Sequence, residues 1–104
     1  TALQLRRPQP VSRIPGFDRG LLSVQDAAAQ LAGPLLGCQP GERVLDACAA
    51  PGGKTLQLLQ GSPGIDLLAL DKDAERLKRV RQNLDRAGLD ARLLAADAGL
   101  PEDW

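Results

Sequence analysis

The sequence predicts a parallel α/β sheet of the doubly wound kind, with three strands forming one half of that fold. Three observations carry this expectation. Helical and strand patterns alternate from Ser23 to Asp97 in the order helix, strand, helix, strand, helix, strand, and such alternation specifies parallel strands joined by right-handed crossovers. The middle strand pattern, Ile65 to Leu70, is mostly apolar and ends in Asp71, which suits a strand buried on both faces. All the chemically suggestive stretches also fall where strand patterns stop: Asp46 to Lys54, Asp71 and Asp97. In this fold class ligands bind beyond the carboxyl ends of the strands.

Residues 1–22 are the least regular part. Leu3-Gln4-Leu5 alternates as a short edge strand would, but Pro8, Pro10 and Pro15 each remove a backbone donor and resist helix. Arg6, Arg7 and Arg13 make the segment basic; a solvated linker is the expected role, ahead of a contact strip for a phosphate backbone. Gly16 and Gly20 bracket Phe17, which predicts an ordered turn around one buried aromatic anchor. Residues 23–104 then form the domain proper.

Ser23-Val24-Gln25-Asp26 has the form of a capping box. Val24, Ala27, Ala28, Leu31 and Leu35 continue it as an apolar helical stripe, interrupted late by Pro34 and closed by Gly37. Strand one is expected over Arg43–Ala47. A helix follows from Gly52-Gly53 to about Gln60, then the turn Gly61-Ser62-Pro63-Gly64. Asp73 is placed to cap a helix whose core face is Leu77, Val80, Leu84 and Ala87, and Gly88 is placed to stop it. The other face of that helix, with Glu75, Arg76, Lys78, Arg79, Arg81 and Arg86, is expected to be solvated. Ala91 to Ala96 forms the third strand.

Composition narrows the functional classes. With 104 residues there is room for one small domain or part of a larger one. Thirteen basic side chains balance 13 acidic ones, so net charge does not argue for a nucleic-acid or membrane partner. Phe17 and Trp104 are the two aromatics, which argues against an aromatic platform for single-stranded nucleic acid. Cys38 and Cys48, ten positions apart with no histidine in the chain, have no zinc spacing and make no disulfide framework. Two buried, reduced thiols and no metal are expected. No apolar run approaches the roughly 20 residues that span a bilayer, and the opening residues lack the apolar core of a signal peptide, so a cytoplasmic protein is expected.

Val44-Leu45-Asp46-Ala47-Cys48-Ala49-Ala50-Pro51-Gly52-Gly53-Lys54-Thr55 reads as a strand that leaves through a small-residue turn and opens a helix. Glycine lets the backbone approach a ligand closely, and the first helical amides are unpaired donors at a positive dipole end. Gly53-Lys54-Thr55 could end a phosphate loop, but the first glycine of that pattern falls on Cys48, and Pro51 lies inside the loop. A nucleoside triphosphatase is thus the weaker alternative. The dinucleotide fingerprint lacks its glycines too. Asp71, about 20 residues beyond the loop, is where a doubly wound fold puts the acid for a ribose diol. A carboxylate there accepts from both hydroxyls and repels a 2′-phosphate, favouring an unphosphorylated adenosyl group.

The run Asp46-Ala47-Cys48-Ala49-Ala50-Pro51-Gly52-Gly53-Lys54-Thr55 resembles the S-adenosyl-L-methionine motif of the RNA cytosine-5 methyltransferases. Ser23-Val24-Gln25-Asp26-Ala27-Ala28-Ala29-Gln30 and Ile14-Pro15-Gly16-Phe17 are similar to the same family, within it most of all to the bacterial enzymes of small-subunit ribosomal RNA. The resemblance implies a Rossmann-like class I methyltransferase fold, an RNA substrate, S-adenosyl-L-methionine as cofactor, and a monomer. It further implies that Cys48, Ala49, Ala50, Pro51, Gly52, Gly53 and Lys54 wrap the methionine end and ribose, through backbone amides and the Lys54 side chain. Asp71 would hold the ribose hydroxyls, and Asp97 the adenine amino group with Ala98 beside the ring. Asp46 is a lesser contact to the methionine ammonium. For Asp71 and Asp97 the plain alternative is capping of the next segment.

In that family one cysteine adds to carbon 6 of cytosine, so that carbon 5 can take the methyl group, and a second cysteine assists elimination. Both lie in Asp-Ala-Pro-Cys and Thr-Cys motifs that follow the third strand, and neither Cys38 nor Cys48 matches them. The chain is therefore expected to be part of a longer enzyme, to contain no catalytic residue, and to be inactive alone. A catalytically inactive RNA-binding scaffold is the remaining alternative.

Overall fold

The computed structural model describes residues 2–104. Three strands, β1 (Arg43–Asp46), β2 (Asp66–Asp71) and β3 (Arg92–Ala95), form one sheet in the order β1-β2-β3. Both pairings are parallel, with Val44 opposite Leu67 and Ala69 opposite Leu93. Three α-helices accompany them: α1 (Ala32–Leu36), α2 (Gly53–Gly61) and α3 (Ala74–Ala87). The α/β alternation and the parallel sheet are those expected, and strand boundaries fall within a residue of those read from the pattern.

The core shows how the crossovers stack. Leu67 and Ala69 of β2 pack in one cluster with Leu56 and Leu58 of α2 and with Leu77, Val80 and Leu84 of α3. Val44 and Leu93 join it from the neighbouring strands. Both crossover helices thus cover the same face of the sheet. The alternate residues point to the other face, where Leu45 is exposed and Leu68 and Leu94 are only half-buried. The expectation that β2 is buried on both faces holds at Leu70, which is fully buried on this second face, and is corrected for Leu68. Two successive right-handed crossovers that step in the same direction put their helices on one side.

Helix α3 forms as its sequence demands. Asp73 is the N-cap, its carboxylate accepting from the amides of Glu75 and Arg76 at 2.9 and 3.2 Å. Gly88 ends the helix at φ 66°, the left-handed conformation that glycine adopts without strain.

The N-terminal third departs from expectation. Leu3-Gln4-Leu5 forms no strand. Ser23 does not start a helix: the Asp26 carboxylate caps the amides of Ala28 and Ala29, a 3-10 turn covers Ala29–Leu31, and α1 begins only at Ala32. Pro34 therefore sits in the first turn of α1, where its missing N–H has no helical partner to lose. The anticipated apolar stripe is not buried, since Val24, Leu31 and Leu35 remain largely exposed. Gly37 does close α1 in the left-handed conformation. The turn around Phe17 is ordered by Gly20 N–H donating to Phe17 O and Leu21 N–H to Gly16 O. Phe17 itself is half-buried, lying against Arg86 rather than inside the core.

The fully buried Leu84 is the sharpest test of this core. Leu84→Ala in the intact protein is expected to lower stability by about 2–5 kcal/mol, read from the denaturant midpoint. Asp73→Ala, which removes only the α3 cap, is expected to cost about 1 kcal/mol.

Candidate functional site at the carboxyl ends of the strands

Between Asp46 and Gly53 the chain folds into a loop whose inner side is fastened to the sheet. Ala49 N–H donates to Leu70 O at 3.0 Å, Ala50 N–H to Asp71 Oδ2 at 3.2 Å, and Gly52 N–H back to Ala49 O at 2.6 Å. The Ala50–Pro51 peptide is cis. Gly52 has φ 105°, and a Cβ there would lie 3.3 Å from Val80 Cγ1, so both backbone conformation and close packing require glycine. Ala49, Ala50 and Gly52 are buried, whereas Cys48, Pro51 and Lys54 face outwards. The amides of Gly53, Lys54 and Thr55 open α2 and have no carbonyl partner within the helix.

Asp71 holds this arrangement together. It is 2% exposed, and both its oxygens accept backbone amides, Oδ2 from Ala50 and Oδ1 from Asp73 at 3.0 Å. Arg76 completes the cluster: its Nη2 donates to Ala50 O at 3.1 Å, and its Nη1 lies 3.8 Å from Asp71 Oδ1. The Asp71 carboxyl titrates below the ordinary aspartate range. The bond from the Asp73 amide is the main cause; burial opposes it, and the Ala50 amide, Arg76 and Lys72 reinforce it.

On the near side of the loop, Thr55 is fully buried and its hydroxyl donates to Asp46 Oδ2 at 2.7 Å. That bond ties the first turn of α2 to the end of β1. Asp97 is exposed beyond β3, its Oδ1 accepting from Gly99 N–H at 2.8 Å. The three acids thus stand at the same end of the sheet. Cys38 is buried, as expected, but Cys48 is exposed in the loop, because Ala49 and Ala50 rather than Cys48 turn towards β2. Among the described residues no cluster of potential metal ligands occurs, and no helix is long and apolar enough to cross a membrane.

The sequence pattern places Arg76 and Arg86 on a solvated face and gives Asn83 no role, whereas the structure brings all three to the site. Asn83 Nδ2 donates to Pro51 O at 2.8 Å, and Arg86 Nη2 to Asn83 Oδ1 at 3.2 Å. A signal for them was present: residues 76, 83 and 86 are spaced by seven and three, one helical stripe beside the core stripe.

A parallel sheet with its loop, acid and helix start at one end is the framework of a Rossmann-like methyltransferase, and solved structures agree. NSun6 from Pyrococcus horikoshii, crystallised with SFG, superposes with a TM-score of 0.84 over 92% of this chain and 26% of its own, at 28% identity. A methyltransferase homolog from Pyrococcus horikoshii gives 0.78 over 92% of this chain and 32% of its own, at 33% identity. Residues 34–104 match the family model described as 16S rRNA methyltransferase RsmB/F, and the chain belongs to that family. The ribosomal RNA small subunit methyltransferase B of Pseudomonas syringae pv. tomato is 55% identical over 101 residues, which cover 96% of this chain. The chain spans about a fifth to a quarter of the length of the curated relatives it matches, 22% in that case.

Because the native Asp71 pKa is depressed, its stabilising effect is complete above the ordinary aspartate range. It is lost as pH falls through that range towards the native value. Asp71→Asn is therefore expected to lower Tm at neutral pH, with the difference from the unaltered protein shrinking below about pH 4. Melting curves across pH check this.

Proposed function

We propose that this chain is the cofactor-binding part of an enzyme that uses S-adenosyl-L-methionine to methylate cytosine C5 in ribosomal RNA. The observation that carries the reading is the loop Cys48–Lys54, fastened from below and presenting unpaired amides at the start of α2, in a chain of the RsmB/F family. Residues 23–104 form the partial cofactor domain, and residues 1–22 lead into it.

The residues suit such a ligand. Gly52 lets the loop pack closely on Val80, and the amides of Gly53 and Lys54 with the exposed Lys54 ammonium would meet the methionine carboxylate. Asp71 has two amide bonds made, and a carboxylate offers about four acceptor sites, so lone pairs remain for a ribose diol. Asp97, exposed and with one oxygen free of backbone bonds, would accept from the adenine amino group. Cys48 would line the pocket. The NSun6 structure with SFG, an S-adenosylmethionine analogue, supports this choice of cofactor. When bound, the cofactor supplies an electrophilic methyl group; this chain's residues bind and orient it. The nucleophilic and eliminating cysteines belong to sequence motifs that this chain does not contain.

Incubating the full-length protein with labelled cofactor and undermodified small-subunit ribosomal RNA should give 5-methylcytosine on nucleoside analysis. This chain alone should give none. Another labelled nucleoside, or transfer by the chain alone, would contradict the proposal. In the full-length enzyme, Asp97→Ala should raise KM for the cofactor about tenfold by removing a charge-assisted hydrogen bond, with kcat much less affected.

A further inference from the structure

A hydrogen-bonded path runs from the lead-in segment to the candidate cofactor loop. Arg86, in the last turn of α3, donates from Nη1 to Phe17 O at 2.8 Å and to Leu22 O at 2.9 Å. Its guanidinium carbon lies 4.1 Å from the centre of the Phe17 ring, within cation–π range. A Cβ on Gly20 would overlap the carbonyl of Arg86, so this segment packs against the end of α3 backbone to backbone. From the other guanidinium nitrogen the path continues to Asn83 Oδ1, and from Asn83 Nδ2 to Pro51 O.

The chemistry of this path gives it direction. A guanidinium only donates and a peptide carbonyl only accepts. The Asn83 amide, set between the two, is satisfied in one orientation only, with its oxygen towards Arg86 and its NH2 towards Pro51. Arg86 and the Pro51 carbonyl thus hold Asn83 in the same orientation from its two ends, and Arg86 is itself held by residues 17–22. Pro51 has no N–H of its own, so its carbonyl is the only backbone hydrogen-bonding group that this residue contributes, and Asn83 holds it.

We propose that Arg86 and Asn83 are positioning residues that couple the docking of residues 16–22 to the shape of the Cys48–Lys54 loop. On this view the lead-in turn is part of the support of the cofactor site rather than a linker. The inference rests on the reading of that loop as the S-adenosyl-L-methionine site. It makes Phe17, more than thirty residues from the loop in sequence, a determinant of cofactor affinity.

The test is a double-mutant cycle in the full-length protein, with the dissociation constant for S-adenosyl-L-methionine measured by titration calorimetry. KM for RNA and Tm are followed in parallel. Asn83→Ala should weaken cofactor binding about tenfold and Phe17→Ala about threefold. The double variant should be no weaker than Asn83→Ala alone, because the path is already cut. Asn83→Asp preserves shape and the Arg86 contact while replacing the donor that faces Pro51. It should match Asn83→Ala in cofactor affinity, with Tm and the RNA KM nearly unchanged. Multiplying effects in the double variant, or unaltered affinity in Asn83→Asp, would overturn the coupling while leaving the cofactor assignment standing. Failure of the unaltered protein to bind S-adenosyl-L-methionine would overturn both.

Discussion

The buried carboxylate of Asp71 is the constraint on which the site depends. An ionised group at 2% exposure is stable only if it is hydrogen-bonded or paired, and here each oxygen accepts one backbone amide and a guanidinium lies nearby. Those partners come from different parts of the chain: Ala50 from the loop after β1, Asp73 from the turn before α3, and Arg76 from the first part of α3. Satisfying one charge at the end of β2 therefore sets the loop, the strand end and the helix start against one another. Hydrogen bonds to a charged acceptor contribute about 1.5–3 kcal/mol each, and leaving the charge without them would cost more than the contacts themselves supply.

The one-sided stacking of the crossover helices follows from the topology and has consequences for the loop. Because α2 and α3 share a face, Val80 reaches Gly52, Asn83 reaches Pro51 and Arg76 reaches Ala50. The loop lies between the sheet end on one side and α3 on the other. Its buried alanines pack inwards while Cys48, Pro51 and Lys54 stay accessible. A loop supported in this way presents its free amides without having to reorganise, which lowers the entropic cost of holding a ligand.

Much of this is legible in the amino-acid sequence. The 3.6-residue period of α3, its Asp73 cap and its Gly88 stop, and the apolar run of β2 are local signals, and local signals locate elements well. The site's acids could be placed because strand ends in a parallel sheet converge on one edge. What stayed hidden depends on distant partners. The charged face of α3 looks like any solvated surface until the loop and residues 17–22 are set beside it, and only then do Arg76 and Arg86 acquire carbonyls to hold. In the region of α1 the sequence misleads for a local reason. Asp26 caps a tighter turn than the Ser23 box would, and the Gly33-Pro34 pair delays the helix, so the apolar stripe never forms a packed face within the described residues.

The central claim is that Asp71 sets the loop before any ligand arrives, and amide hydrogen exchange at Ala50 tests it most directly. In the ligand-free full-length protein, a preset loop requires the Ala50 amide to exchange as slowly as the strand amides of Leu70 and Asp71. The claim would be contradicted by exchange at the rate of an open loop, with protection gained only when S-adenosyl-L-methionine is added.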